Sequence, residues 1–238
     1  MTLTRSARRK RRKGGRIRRF VLWGLAFVLL APVVLTVLYS VVPPISTLMV
    51  SRYVTLQPVA RTYVPLEAIS EHLQRAVVVS EDSLYCEHGG VDWQAMHKQV
   101  ESLLEGERAR GASTIPMQTA KNLFLWNGRN YLRKAMETPL AIMLDAMLTK
   151  RRLLEIYLNI VEWGDGIFGA EAAAQAYFGK SAKDLTRREA ALLATALPNP
   201  ILRNPARPGA GHQRLASINQ QRMKVAGDVI ACTSAERQ

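Results

Sequence analysis

Residues 20–42 read FVLWGLAFVLLAPVVLTVLYSVV, twenty-three positions without a charged side chain. At the helical rise such a stretch spans about 34 Å, enough for the ~30 Å hydrocarbon core of a bilayer with some tilt. Pro32 is compatible with a helix in lipid, where neighbouring groups can satisfy the backbone it frees, and Pro43-Pro44 marks a stop. A core helix of a soluble protein rarely runs this long without a charge. A cleaved signal peptide has an apolar region of only ~7–15 residues and a small-residue cleavage site, and no such site comes after this stretch. The stretch therefore reads as an uncleaved transmembrane signal anchor, and the rest of the chain is organised around it.

Upstream, residues 1–19 hold ten Lys or Arg and no acid; the other 219 residues carry 23 basic against 19 acidic side chains. Most of the net charge of +14 is thus a tail. A basic flank of this kind stays in the cytoplasm and sends the chain beyond the anchor across the membrane. Topology and anionic lipid account for the tail, so no nucleic-acid partner is called for.

Downstream, residues 43–63 are mixed and are expected to link the anchor to a domain or to lie on the membrane surface. The domain is expected over 64–232, and its pattern is helical. Leu66, Ile69, Leu73 and Val77 recur at helical spacing, as do Trp93, Met96, Val100 and Leu103 after Asp92, an N-cap. Thr114 and Pro116 start a helix over 115–125. A long helical stretch over 131–157 is expected to bend at Pro139 and restart near Thr149. Residues 169–178 are Ala-rich, Thr186-x-x-Glu189 is a capping box, Pro198 and Pro200 close that helix, and a last one is expected over 212–232. Strand signals are few, so the fold class is mainly α. Cys86 and Cys232 have no metal-ligand spacing and are too few to suggest a disulfide framework.

Three clusters could carry chemistry. In SEDSLYCEHGGVD, residues 80–92, a helix ends in a loop crowded with ionisable groups; acids there oppose the helix dipole. Glu81 comes directly after the apolar run VVVS, which sets its carboxylate at the rim of a core, and Asp82 and His88 could orient it or each other. Taken alone, these residues favour a solvated helix end. In GASTIPMQTAKN, residues 111–122, Thr114, Gln118 and Lys121 share one helical face near an N-terminus, a setting that suits a phosphate; capping and surface charge explain the same residues one by one. In RKAME, residues 133–137, Arg133 and Glu137 stand at i and i+4, either an ordinary ion pair or a phosphate clamp beside a second carboxylate.

Together SEDSLYCEHGGVDW, GASTIPMQTAKNLFLW, RKAMETPLAIML with TKRRLLEIYLN, GAEAAAQAYFGK and LTRREAALLATALPNP resemble the five ordered motifs of glycosyltransferase family 51, over about residues 64–200. The chain is most similar to the monofunctional biosynthetic peptidoglycan transglycosylases, which pair a short anchor with this domain. The resemblance implies a lysozyme-like helical domain outside a bacterial inner membrane. It implies Glu81 as general base and Glu137 as a second essential carboxylate. It gives Asp82, Tyr85 and His88 of the first motif as substrate-binding, and puts Ser113, Thr114, Gln118, Lys121, Asn122 and Arg133 around sugar and pyrophosphate. Tyr85 stands where Phe is commoner, Met117 replaces the first Gln of a usual pair, and Pro139 interrupts the third motif's helix.

The reaction so implied transfers a growing glycan from its polyprenyl pyrophosphate to the GlcNAc 4-hydroxyl of lipid II, inverting to a β-1,4 bond. Its partners are lipid II, the lipid-linked nascent glycan and the membrane, with other wall-synthesis or division proteins left open. No resident metal is expected; a Mg or Mn ion bridging the pyrophosphate is the one cofactor left open. Two other readings stand beside it: a muramidase or lytic transglycosylase, which needs no pyrophosphate clamp, and a noncatalytic membrane-anchored scaffold, which would tolerate loss of Glu81.

Overall fold

A computed structural model describes residues 4–106, 111–126, 128 and 130–234; residues 1–3 of the expected tail lie outside them. The chain forms two units, Met1–Val41 and Val42–Gln238. The first is helix α1, Thr4–Tyr39, which runs through the basic tail into the apolar stretch. Its segment Arg18–Tyr39 is long and apolar enough to cross a membrane and is almost wholly unburied. Pro32 does not break it, and the Thr36 hydroxyl donates to the Pro32 carbonyl at 2.7 Å. The helix ends at Tyr39, short of the expected limit at 42.

The second unit begins with α2, Thr47–Val54, inside the segment expected to be a linker. Ser46 caps it, Met49 is fully buried, and the Thr47 hydroxyl donates to the carbonyls of Asn122 (3.1 Å) and Leu125 (2.5 Å). Residues 43–63 are therefore part of the domain rather than a tether. A helix of two turns with one buried side chain is too short for periodicity to announce.

Strand β1, Ala60–Arg61, leads into α3, Glu71–Glu81, whose N-cap Ser70 accepts from the His72 N–H. Leu66, Ile69, Leu73 and Val77 are all buried, but the chain reaches them through a 3-10 turn and then α3, because Ser70 caps a new helix between them. Next come α4, Trp93–Leu104, with Asp92 accepting from the Ala95 N–H at 2.8 Å, and α5, Ile115–Phe124, capped by Thr114. The expected long helix is two: α6, Tyr131–Met147, passes through Pro139 without ending, and α7, Lys150–Ile160, restarts on the Thr149 hydroxyl. Strands β2, Glu162–Gly164, and β3, Ile167–Phe168, precede α8, Ala170–Phe178, α9, Arg187–Ala196, and α10, Ala210–Val225. The capping box of Thr186 and Glu189 forms as its spacing predicts.

Helix α7 is apolar around most of its circumference, with Leu153, Leu154, Ile156, Tyr157, Leu158 and Ile160 buried, and such a helix must run through the middle of a domain. The core wraps it with α3, α8 and α9, while the small sheet, in the order β1-β3-β2, closes one side. β1 and β3 are parallel; β2 and β3 are antiparallel.

The C-terminal segment departs furthest from expectation. α10 stops at Val225, the chain turns at Gly227 with φ of 60°, and Cys232 is joined to Cys86 in a disulfide. The two cysteines, expected to decide nothing, staple the end of the domain to the loop after α3. A separation of 146 residues gave no local signal of the pairing.

Candidate active site

Glu81 is the last residue of α3. Ala76, Val77, Val78 and Val79 of the same helix are buried, so the apolar run carries the carboxylate to the wall of a cleft of about 210 Å³. Ser80, Ser83, Asp92, Ser113, Thr114 and Arg222 share that wall. Glu81 Oε2 accepts from Gln118 Nε2 at 2.9 Å, and Oε1 accepts from Ser80 Oγ at 3.3 Å. No cation bonds either oxygen among the described residues. Burial pushes the Glu81 carboxyl above the ordinary carboxylate range, and the Gln118 and Ser80 hydrogen bonds and the Lys121 charge only partly oppose it. The Gln118 amide is itself aimed, since the buried Tyr157 hydroxyl donates to its Oε1 at 3.0 Å.

Asp82 also lines the cleft, but its carboxylate is engaged within the protein. Buried, it accepts from the first N–H of α5, at Ile115, at 2.9 Å, and bonds His88 Nε2 at 2.8 Å. A carboxylate at a helix N-terminus is favourable there. Asp82 and His88 thus orient each other and join the end of α3 to the start of α5, leaving Glu81 to face the cleft. Gly90 completes the junction: at φ of 86° it accepts from the Thr114 hydroxyl at 2.7 Å, and a Cβ there would lie 2.7 Å from the Ala141 carbonyl oxygen.

Several of the residues expected to bind substrate have polar groups engaged within the protein. Tyr85 is fully buried and its hydroxyl donates to the Lys150 carbonyl at 2.7 Å, so it anchors the loop from beneath and does not reach the cleft. Lys150 holds the same loop by donating to the His88 carbonyl at 2.7 Å. Thr114 lines the cleft, but its hydroxyl is committed to Gly90 and to the Met117 N–H. Gln118 is committed to Glu81 and Tyr157. The Asn122 carbonyl receives Thr47.

A cationic cluster occupies the face between α5 and α6. Glu137, 3% exposed, is clamped by Arg133 on Oε1 and by Lys134 on Oε2 at 2.9 Å, and Lys134 also donates to Ser113 Oγ at 2.5 Å. α6 continues past Pro139, and Glu137, just before it, is buried. Lys121, one turn beyond Gln118, makes no hydrogen bond or ion pair among the described residues. Burial pulls its ammonium down from the usual lysine range; Glu137 and Glu81 oppose this, while Arg133 and Lys134 add to it. Lys121 therefore lies within electrostatic reach of both carboxylates.

Sequence patterning does not single out Lys134, Tyr157, Lys150 or Arg222. Lys134 has a signal, its i,i+3 spacing to Glu137. The others come from distant elements and have none. Among the described residues no group of three or more His, Cys, Asp or Glu could hold a metal ion.

A raised, cation-free carboxylate beside a cleft suits proton removal, and an adjoining patch of three cations suits a developing polyanion. Comparisons with known proteins show the family. The family model described as Transglycosylase matches residues 48–225. A biosynthetic peptidoglycan transglycosylase of Rhizobium johnstonii is 50% identical over 228 residues, 95% of this chain and 93% of its own. One from Agrobacterium fabrum is 51% identical over 214 residues, 89% and 95% of the two chains. One from Brucella suis is 51% identical over 210 residues, 87% and 94%. The chain belongs to the peptidoglycan transglycosylase family.

Proposed function

We propose that this transglycosylase polymerises lipid II, with Glu81 as the base and Lys121, Arg133 and Lys134 as the leaving-group site. The observation that carries the proposal is the division of labour around α5. Its Gln118 end holds a carboxylate with no cation on it, and its Lys121 end faces a clamp of cations. The acceptor 4-hydroxyl gives its proton to Glu81 as its oxygen bonds to the anomeric carbon of the lipid-linked strand. The carbon–oxygen bond to the pyrophosphate breaks from the opposite face, inverting the centre, and the bonding pair leaves on the polyprenyl pyrophosphate. Lys121, Arg133 and Lys134 offset that charge without needing to move. Glu137, with both oxygens taken by cations, acts as the counter-ion that holds two of them in place. For the same reason it does not fit a divalent ion bridging the pyrophosphate.

The apolar helix anchors the domain at the bilayer that holds both substrates, with the basic tail in the cytoplasm. The disulfide supports this orientation, because disulfides persist in oxidising compartments outside the cytosol. Purified protein given lipid-linked disaccharide-peptide in detergent should form a muramidase-sensitive polymer. Glu81→Gln should lower the rate about 10³-fold, within the usual range for a general base. No polymer under conditions where a control polymerase works, or full activity in the variant, would refute the proposal; release of fragments from purified peptidoglycan would favour the lytic reading.

A further inference from the structure

We infer that Arg222, on the C-terminal helix, is an acceptor-binding residue: it holds an oxyanion of the incoming lipid-linked disaccharide-peptide, either a peptide carboxylate or the acceptor's own phosphate. The inference rests on the transferase reading above and extends it to a segment outside the family's five motifs.

Arg222 lines the same cleft as Glu81, together with Ser83, Asp92 and Ala95. It is exposed, and among the described residues its guanidinium has neither an ion pair nor a hydrogen bond. Three acids line that cleft and none is paired with Arg222: Glu81 accepts from Gln118 and Ser80, Asp82 is taken by the Ile115 N–H and His88, and Asp92 by the Ala95 N–H. No other charge on the helix can satisfy it, since α10 carries Arg214, Arg222 and Lys224 and no acid.

The helix presents Arg222 rigidly. One turn earlier, buried Asn219 donates to the Ala76 carbonyl of α3 at 2.9 Å, and the neighbouring Met223 lies in the core. Beyond the helix, the Cys86–Cys232 bond ties the chain back to the loop after Glu81. The arginine and the carboxylate are thereby held on one frame.

The nature of the anion is set by where the other cations are. Lys121, Arg133 and Lys134 are absent from the cleft wall and gather instead on the α5–α6 face. In an inverting displacement the base and the leaving group lie on opposite faces of the reacting carbon. An anion at Arg222, on the base's side, is therefore not the departing pyrophosphate, and it belongs to the molecule whose hydroxyl Glu81 deprotonates. Guanidinium suits either candidate group, since it grips carboxylate and phosphate through two parallel hydrogen bonds.

The test compares the full-length protein with Arg222→Gln and Arg222→Lys on two substrates, lipid-linked disaccharide-peptide with free peptide carboxylates and the same compound with those carboxylates amidated. Arg222→Gln should raise KM about tenfold, as expected for losing one charge-assisted pair, with melting temperature unchanged because the side chain is exposed. Arg222→Lys should recover only part of this. A rise confined to the free-carboxylate substrate assigns the peptide, and an equal rise on both assigns the phosphate; either supports the inference. KM within twofold of wild type on both substrates overturns it while leaving the transferase reading intact. Wild type that polymerises neither substrate refutes that reading, and the inference with it.

Discussion

Glu81 and Glu137 are two carboxylates on the inner side of helices, and the domain treats them oppositely. Glu137 is gripped by Arg133 and Lys134, which satisfy both of its oxygens. Glu81 receives only an amide and a hydroxyl, both neutral, and burial drives its proton affinity up. Burial with cations makes an acid into a fixed counter-ion, whereas burial without them leaves it poised to take a proton. The second condition opposes stability and serves the chemistry.

The sharpest way to break this comparison is to neutralise each acid in turn. Beyond its loss of about 10³ in rate, Glu81→Gln should raise the melting temperature at neutral pH. The sign comes from the raised carboxyl: a group with a higher affinity for protons in the folded state contributes stability below its unfolded pKa, and that contribution is lost as pH rises through the folded one. At neutral pH the ionised Glu81 is thus a liability that glutamine removes. Glu137→Gln should do the reverse, costing about 3 kcal/mol by leaving two cations without their partner. Thermal unfolding of the two variants side by side checks both, and a matching loss of stability in each would erase the distinction.

An effect of similar size is expected from Cys86→Ser with Cys232→Ser, which loosens the loop on the Glu81 side and leaves the Glu137 clamp in place. Stability should fall by about 2–4 kcal/mol, and dithiothreitol should have the same effect on wild type and none on the variant. The smallest concerns tuning. Gln118→Ala removes a hydrogen bond to the charged form of Glu81, so the acid limb of the rate–pH profile, already above the usual carboxylate value, should move further toward neutral. An unmoved limb would show that Gln118 does not support the charged form.

Much of the architecture is legible from periodicity and capping. The long apolar helix, the restart at Thr149 and the Thr186 capping box depend on residues a few positions apart, and the structure forms each of them. The site is legible as ingredients. Glu81, Gln118, Lys121, Arg133 and Glu137 all stand out in the sequence, yet nothing there shows that the Tyr85 and Thr114 hydroxyls are engaged within the protein, because a hydroxyl or a phenol carries no mark of whether it will face a cleft or a carbonyl. The role of the 43–63 segment also needs the fold, since α2 is recognised only by what Thr47 and Met49 meet.

By itself the sequence determined the long apolar helix, the helical class and the acids and bases available to the chemistry, because these depend on local spacing and on the solvent each stretch requires. Only the tertiary structure decided which acid stays free and which is clamped, that Asp82 serves α5 rather than Glu81, and that Cys86 meets Cys232. It alone placed Arg222 on the cleft that Glu81 lines. Those outcomes depend on which distant groups share a small volume, and the energy of a buried charge is set by that company and not by its neighbours in the chain.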